Sequence, residues 1–271
     1  MINKVELQLV GDTFSDLNNG NLGYSVFRKA SKNILWTQED RDVVFFVDSW
    51  LPAALQKRGE RRQFGWLLES RAIIPQVYDW VLNNLEELLD ACETIFTWDQ
   101  ELLALSDKFK WVPAQGFWIK DPKVYDKSKL VSMVSSKKMY CPGHIVRLKY
   151  VEELRGYLDL YGRGFNEIDN KEDALCDYMF SVAIENDVRE TYFTEKILDC
   201  FAAGTIPVYL GAPDIGKHFN PEGIVLLDDF FSINKDMYYS KLDAIQDNLE
   251  RAKKMEVLED FIYENYLVGN L

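Results

Sequence analysis

A chain of 271 residues is long enough to bury one large hydrophobic core or two smaller ones. Hydrophobic residues make up 47% and charged residues 28% of the sequence, which excludes a disordered polypeptide and indicates a packed globular protein. The formal net charge of -13 argues against a nucleic-acid partner, because such binding depends on an excess of clustered Lys and Arg.

The first ten residues, MINKVELQLV, alternate like a strand and lack the features of a signal peptide. No apolar stretch approaches the roughly 20 residues that a membrane-spanning helix needs. The cysteines show neither a CxxC pair nor a disulfide framework, so reduced thiols are expected. They are Cys92, Cys141, Cys176 and Cys200. We therefore expect a cytoplasmic protein, soluble or peripherally associated with a membrane.

In the first half of the chain, apolar segments alternate with a helical pattern. Strands are predicted over VELQLV, DVVFFVDS, FGWLLES and ETIFTWD, and a helix over residues 75–91. This alternation predicts an α/β fold with a mostly parallel sheet flanked by helices. The segment VPAQGFWIKDP that follows suits neither period, so we place a domain boundary near Asp126.

The same alternation restarts after the boundary. Strands are predicted over KLVSMVSS, LDLYG, DYMFSVAIEN and TIPVYLG, and helices over HIVRLKYVEELRGYL and TEKILDCFAAG. A second α/β unit is therefore expected, in which phosphate ligands would lie where strands end and helices begin. The tail from residue 241 has helical periodicity with mixed charge, and its final helix could pack back on the first domain.

Residues 178–213 form a strand, a polar loop, a helix and a second strand. Polar side chains stand where the strand ends and where the helix begins, so they should share one rim of the sheet. They are Glu185, Asn186, Tyr192, Thr194, Glu195 and Lys196. Thr194 is a natural N-cap and Gly204 a natural terminator of the helix.

Lys196 occupies the first turn of this predicted helix, where the helix dipole disfavours a cation. An anionic ligand such as a diphosphate would remove that conflict, because it can bind both Lys196 and the free backbone NH groups. A surface Glu/Lys pair explains the same residues, and on spacing alone the surface pair is favoured.

The run E-N, five residues, Y-x-T-E-K and then AG-T-I-P-V-Y-L-G resembles the signature of the α-1,3-fucosyltransferases. The segments KLVSMVSSKKMYCPGHIVRLKYVEEL and HFNPEGIVLLDDF are also similar to that family. The resemblance implies a GT-B fold of two Rossmann-like domains facing a central cleft. Residues 1–126 would bind the acceptor and residues 127–271 the nucleotide-sugar donor. It further implies inverting, metal-independent transfer of fucose from GDP-fucose to a glycan hydroxyl.

The resemblance also assigns the donor-binding residues. In this sequence the family's donor contacts correspond to Glu185, Asn186, Tyr192, Thr194, Glu195 and Lys196. Arg147 stands at the position of the family's phosphate-binding arginine, and its planar fork suits a pyrophosphate leaving group. A helix arginine paired with Glu152 or another nearby carboxylate remains an alternative role for Arg147.

The segment FGWLLES resembles the one that precedes the family's catalytic glutamate, which makes Glu69 the candidate base. An ordinary strand-end glutamate explains the position equally well. The family usually continues with Ser-Pro, whereas here Ser70 is followed by Arg71. The reserve carboxylates are Glu39, Asp48 and Glu60.

No cofactor or metal is expected. His144 and His218 stand alone, and Asp228 and Asp229 are adjacent instead of spaced as D-x-D. Other possibilities are a glycosyltransferase of the same fold with another nucleotide sugar, and a non-catalytic protein that binds nucleotide sugars or carbohydrate. A phosphoryl-transfer enzyme ranks low, because the chain lacks a G-x-x-x-x-G-K-[S/T] loop.

Overall fold

The computed structural model describes residues 4–11, 29–56, 59 and 61–269 of the chain. The chain divides into two compact units. The first consists of Met1–Gly116 with Glu256–Leu271, and the second is Phe117–Met255. Glu60, one of the reserve carboxylates, lies outside the described residues.

The first unit contains a six-stranded parallel sheet in the order β2-β1-β3-β4-β5-β6. The strands are β1 (Val5–Val10), β2 (Ile34–Thr37), β3 (Val43–Val47), β4 (Arg62–Leu67), β5 (Thr94–Thr97) and β6 (Phe109–Trp111). The four strands predicted from the sequence are its central strands. The sequence does not predict β2 and β6, because edge strands of four and three residues carry little periodic signal.

Aromatic side chains form the core on one side of this sheet. Phe45 of β3 stands opposite Phe64 of β4 in the strand register, and their ring centroids are 5.0 Å apart. Phe96 of β5 stacks on Phe45 at 5.9 Å, and Trp36 of β2 meets Phe45 edge-on at 5.1 Å. Burial of these rings across four strands stabilises the sheet that carries Glu69.

Short helices connect the strands of the first unit. They are α1 (Ala53–Gln56), α2 (Pro75–Asn83), α3 (Leu85–Ala91) and α4 (Gln100–Leu103). The single helix predicted over residues 75–91 is in fact two helices that meet at Asn84. The Asn84 side-chain amide donates to the carbonyl oxygen of Trp80 at 2.8 Å, a side-chain to backbone bond that competes with continuation of the helix.

The second unit contains a five-stranded parallel sheet in the order β11-β10-β9-β7-β8. The strands are β7 (Lys129–Val134), β8 (Asp159–Tyr161), β9 (Tyr178–Ile184), β10 (Ile206–Leu210) and β11 (Val225–Leu226). From β7 the chain proceeds to β8 on one side, and from β9 it proceeds to β10 on the other. The adjacent strands β7 and β9 therefore form the topological switch point, where ligands of such sheets bind.

The helices of the second unit are α5 (Pro142–Glu153), α6 (Glu172–Leu175), α7 (Glu195–Ala202), α8 (Lys235–Tyr239) and α9 (Leu242–Lys253). The predicted caps of α7 are present. The Thr194 hydroxyl accepts the backbone NH of Lys196 at 3.4 Å, and Gly204 follows the helix with φ +65°. No helix in the described ranges is long and apolar enough to cross a membrane.

Short 3-10 helices complete the two units. The 3-10 helices are Asp48–Trp50, Ile215–Lys217, Pro221–Gly223 and Leu227–Ser232. Asp228 and Asp229 belong to the last of these, directly after β11. All four cysteines lie in the described ranges as free thiols, and Cys176 is the one that is only partly buried.

The boundary between the units lies at Gly116, before the position near Asp126 that the sequence suggests. The intervening residues bond to the second unit. The backbone NH of Trp118 donates to Asp199 at 2.5 Å, and that of Lys120 donates to Glu172 at 2.9 Å. These long-range bonds, which local composition does not reveal, assign the segment after Gly116 to the second unit.

The end of the chain belongs to the first unit, where it forms α10 (Leu258–Ile262) and a π-helical turn, Tyr263–Leu267. The buried carboxylate of Asp260 accepts the Ser31 hydroxyl at 2.6 Å and the backbone NH of Lys32 at 2.9 Å. Tyr266 donates its hydroxyl to the carbonyl oxygen of Trp111 at 2.6 Å. Helix α10 is thus bonded to the segment before β2, and the π-helical turn is bonded to β6.

Candidate functional site

A pocket of about 380 Å³ opens at the switch point of the second sheet. The carboxyl ends of β7 and β9 and the first turns of α7 line it. The charged side chains that face it are Lys138, Arg147, Arg163, Lys171, Glu195, Lys196 and Asp199. Five cations and two carboxylates suit a ligand that carries negative charge.

Glu185, the first residue after β9, is buried and ties the strand to helix α7. Its carboxylate accepts the backbone NH of Thr194 at 2.9 Å and the Thr194 hydroxyl at 2.7 Å. The ammonium group of Lys196 lies 3.6 Å from the same carboxylate and donates to the Thr194 hydroxyl at 3.0 Å. This network holds Lys196 at the pocket.

Arg147 reaches the pocket from α5 and is buried. Its Nε and Nη2 groups donate to the carbonyl oxygen of Ile184 at 3.1 and 2.8 Å, and Nη2 also donates to Asn186 at 2.7 Å. Nη1 has no hydrogen-bond partner within the described part of the chain. Glu152, the alternative partner considered above, instead accepts from Arg155 at 2.7 Å.

Close backbone packing places α5 beside β9. A Cβ atom at Gly143, in the first turn of α5, would lie 2.3 Å from the carbonyl oxygen of Asn186. Only glycine permits this approach, which brings Arg147 within reach of Ile184 and Asn186. The sequence gives no sign of this requirement, since Gly143 lies in a local pattern typical of any helix start.

A second charge cluster, which sequence reasoning missed, lines the pocket beside α7. The ammonium group of Lys171 lies 2.5 Å from the buried carboxylate of Asp199 and 3.7 Å from that of Glu195. It also lies 4.8 Å from the centroid of the Trp118 ring. The spacing of Glu195 and Asp199, four residues apart on one helix face, was a signal that could have identified the cluster.

The lysines set the ionisation of the two glutamates. Burial alone would raise the pKa of Glu195, but Lys196 and Lys171 outweigh burial and bring that pKa to about 2. For Glu185 burial dominates, and its pKa is raised although Lys196 opposes the change. Glu195 is therefore an anionic hydrogen-bond acceptor at neutral pH, able to bind ligand hydroxyls.

The predicted donor-binding residues lie together but not equally close to the pocket. Arg147, Glu195 and Lys196 line it. Asn186 supports Arg147 through a hydrogen bond. The others, which are buried beside the pocket, are Glu185, Tyr192 and Thr194. Because the Thr194 hydroxyl caps the NH of Lys196, this backbone NH already has a partner without any ligand.

Glu69, the predicted base, is the second residue after β4 in the first unit and is partly buried. Its backbone carbonyl accepts the hydroxyl of Tyr78 at 2.8 Å. Asp48 accepts the backbone NH of Leu68 at 2.8 Å, so this reserve carboxylate holds the end of β4. The other described reserve, Glu39, is exposed and pairs with Arg41 at 3.2 Å.

Arg71, which stands where the family usually has proline, makes its own contacts. Its guanidinium group forms two hydrogen bonds with the buried carboxylate of Asp99, at 2.6 and 2.9 Å. It also lies 5.0 Å from the centroid of the Tyr78 ring. A bidentate bond can order the loop after Glu69 in place of a proline ring.

Within the described ranges, no three His, Cys, Asp or Glu side chains are grouped so that they could hold a metal ion. His144 accepts the backbone NH of Tyr140 at 3.1 Å through Nδ1. The ring of His218 lies 5.0 Å from that of Phe193. Both histidines therefore have structural contacts.

Comparison with known proteins bears on the second unit. Residues 124–253 match the family model for the C-terminal domain of glycosyltransferase family 10 (fucosyltransferase). The chain is 36% identical over 104 residues to the α-(1,3)-fucosyltransferase FucT of Helicobacter pylori, a match that covers 38% of this chain. The matched segment spans 20% of that relative. The resemblance to the α-1,3-fucosyltransferases is confirmed.

Solved structures bear on the fold. A crystal structure of an α1,3-fucosyltransferase superposes with a TM-score of 0.54 at 16% identity, covering 98% of this chain and 88% of that one. A crystal structure of an α1,3-fucosyltransferase with GDP gives 0.51 at 17% identity, covering 93% and 81%. At these identities the likeness shows the fold, and the predicted GT-B type with two Rossmann-like units is confirmed.

Proposed function

Residues 124–253 match the family model for the C-terminal domain of glycosyltransferase family 10 (fucosyltransferase), and on this basis we propose that the protein is an inverting fucosyltransferase. The donor is GDP-fucose and the acceptor is a hydroxyl group of a glycan. The observation that carries the proposal is the cation-lined pocket at the switch point of the second sheet. Parallel α/β sheets bind nucleotides at this position.

Charge and hydrogen bonding assign roles within the pocket. Arg147 and Lys196 bind the diphosphate, because both are cations that line the pocket and are held there by buried partners. Glu195 accepts hydroxyl groups of the ribose or the sugar, since its carboxylate stays ionised beside Lys196 and Lys171. Asn186 and Glu185 orient these groups.

Transfer is a single displacement. The acceptor oxygen attacks the anomeric carbon of fucose, its proton passes to Glu69, and the bond from the anomeric carbon to the diphosphate breaks. Attack from the opposite side inverts the anomeric configuration. The charge that grows on the departing GDP is stabilised by Arg147 and Lys196, and we propose that these two cations do so without a metal ion.

Nucleotide selectivity tests the proposal. GDP and GDP-fucose are expected to raise the melting temperature more than UDP and ADP compounds do, because a ligand that binds only the folded state stabilises it. At 100 times Kd the gain is about 2.7 kcal/mol. The measurement is a thermal shift with each nucleotide in turn.

Other thermal-shift results, and a turnover assay with glycan acceptors, would distinguish the alternatives. A larger shift with UDP or ADP sugars would identify another donor and refute the fucose assignment. No shift with any nucleotide would contradict the donor site altogether. Binding of GDP-fucose without turnover on any glycan would favour a non-catalytic binding protein.

Arg147→Ala and Lys196→Ala are each expected to weaken GDP binding by roughly 10- to 100-fold. Each loses a charge-assisted hydrogen bond to phosphate, which contributes about 1.5–3 kcal/mol. Isothermal titration with GDP measures the change. Lys149→Ala is the matched control, because Lys149 is an exposed cation of the same helix as Arg147 and pairs with Glu153 at 3.5 Å.

The control should bind GDP with unchanged affinity. Arg147→Lys separates charge from geometry, since lysine keeps the charge but lacks the planar fork. Wild-type affinity in both alanine variants would show that the diphosphate does not bind between these two cations.

A further inference from the structure

A serine hydroxyl in the wall of the pocket has no hydrogen-bond partner among the described residues. Ser135 directly follows β7, is 6% exposed and lines the pocket. Within the described ranges, its Oγ atom is buried without any hydrogen-bond partner. Buried hydroxyl groups are nearly always hydrogen-bonded, because an unmade bond costs free energy.

The backbone prevents Ser135 from moving away from this position. Its NH donates to the carbonyl oxygen of Tyr161 at 2.9 Å, which extends the pairing of β7 with β8. Gly162 packs directly against it, with φ +108°, and a Cβ atom there would lie 2.0 Å from the carbonyl oxygen of Ser135. The hydroxyl is therefore held at the pocket and can only rotate about its own Cα–Cβ bond.

Neighbouring serines show that the same sheet can satisfy such hydroxyls. Ser181 of β9 also lines the pocket, and its hydroxyl donates to the carbonyl oxygen of Ser132 at 3.3 Å. The Ser132 hydroxyl donates its proton to the carbonyl oxygen of Ala174 at 2.6 Å, and its oxygen lies 3.0 Å from the hydroxyl oxygen of Ser181. Ser135 differs from both, because its hydroxyl is not committed to the protein.

Two cations share the pocket with Ser135. Lys138 and Arg163 line it, and neither forms an ion pair with a carboxylate in the described part of the chain. A hydroxyl donor beside unpaired cations suits an anionic oxygen acceptor.

We propose that Ser135 binds the donor nucleotide, donating its hydroxyl to an oxygen of the diphosphate. This inference rests on the proposed function and adds a neutral hydrogen-bond donor to Arg147 and Lys196. In the described part of the ligand-free protein the Ser135 hydroxyl makes no hydrogen bond, and the diphosphate oxygen would supply its acceptor.

Ser135→Ala tests the proposal through ligand affinity, which should fall, and through the melting temperature of the ligand-free protein, which should not fall. GDP and inorganic pyrophosphate should each bind roughly tenfold more weakly, because one hydrogen bond to a charged oxygen is lost. The melting temperature of the ligand-free protein should be equal to or higher than that of the wild type, because the variant removes an unpaired hydroxyl from the interior. Titration calorimetry and thermal unfolding of the full chain measure both.

Ser132→Ala is the matched control with the reverse expectation. It should lower the melting temperature of the ligand-free protein and leave GDP affinity unchanged, because Ser132 is not among the residues that line the pocket and its buried hydroxyl donates to the carbonyl oxygen of Ala174. Equal GDP affinity in wild type and Ser135→Ala would overturn this inference alone. So would a loss confined to GDP, which would move the contact to the nucleoside. Absence of GDP binding by the wild type would overturn the proposed function and this inference together.

Discussion

Glu69→Gln is expected to lower the turnover of fucose transfer by about 10²- to 10⁴-fold, the usual contribution of a general base. Glutamine has the same shape as glutamate but cannot accept the proton of the acceptor hydroxyl. GDP affinity should not change, because the predicted GDP contacts all belong to the second unit. The measurement is the initial rate on the glycan that the wild-type protein fucosylates best, with GDP titrated in parallel.

Glu6→Gln is the control for this result. Glu6 is an exposed glutamate of the same unit that pairs with Arg41 and is not a candidate base, so its amide variant should keep wild-type turnover. Normal turnover in Glu69→Gln would transfer the base role to another carboxylate. Reduced GDP affinity in the same variant would show that the change acts on donor binding.

Asp199→Ala is expected to destabilise the second unit by about 3–5 kcal/mol, because it removes one partner of a buried ion pair. Lys171 would lose the carboxylate that lies 2.5 Å away, and the backbone NH of Trp118 would lose its acceptor. Urea unfolding of the ligand-free protein, followed by tryptophan fluorescence, measures the loss. The Trp118 indole lies beside Lys171 and contributes to the emission of the seven tryptophans, which together report unfolding.

Two further variants separate the ion pair from general loss of packing. In Asp177→Ala the lost partner of Lys129 is exposed and 3.7 Å away, so the expected cost is about 0–1 kcal/mol. The double variant Lys171→Met/Asp199→Leu should be more stable than Asp199→Ala, because neither charge is left buried alone. If Asp199→Ala unfolds like the wild type, the pair has no role in stability.

The sequence by itself determined the class of fold and the place in the sheet of the predicted donor-binding segment. Apolar segments of period two and helical segments of period 3.6 are local patterns, so the central strands of both sheets and helix α7 could be predicted. Parallel strands bring their carboxyl ends to one rim, and the segment from Glu185 to Lys196 therefore had to lie there. Thr194 and Gly204 mark the ends of α7 through their own side-chain and backbone chemistry.

Only the tertiary structure decided which partners those residues meet. Lys171 and Asp199 are 28 residues apart, and no periodicity relates them. Strands β2 and β6 can be identified only from their pairing with β1 and β5. The position of the final helix can be identified only from the bonds of Asp260 to Ser31 and Lys32. Ser135 differs from Ser132 and Ser181 because, among the described residues, its hydroxyl makes no hydrogen bond whereas theirs do. Such features depend on pairings between distant segments, whereas sequence patterns report the geometry of each segment by itself.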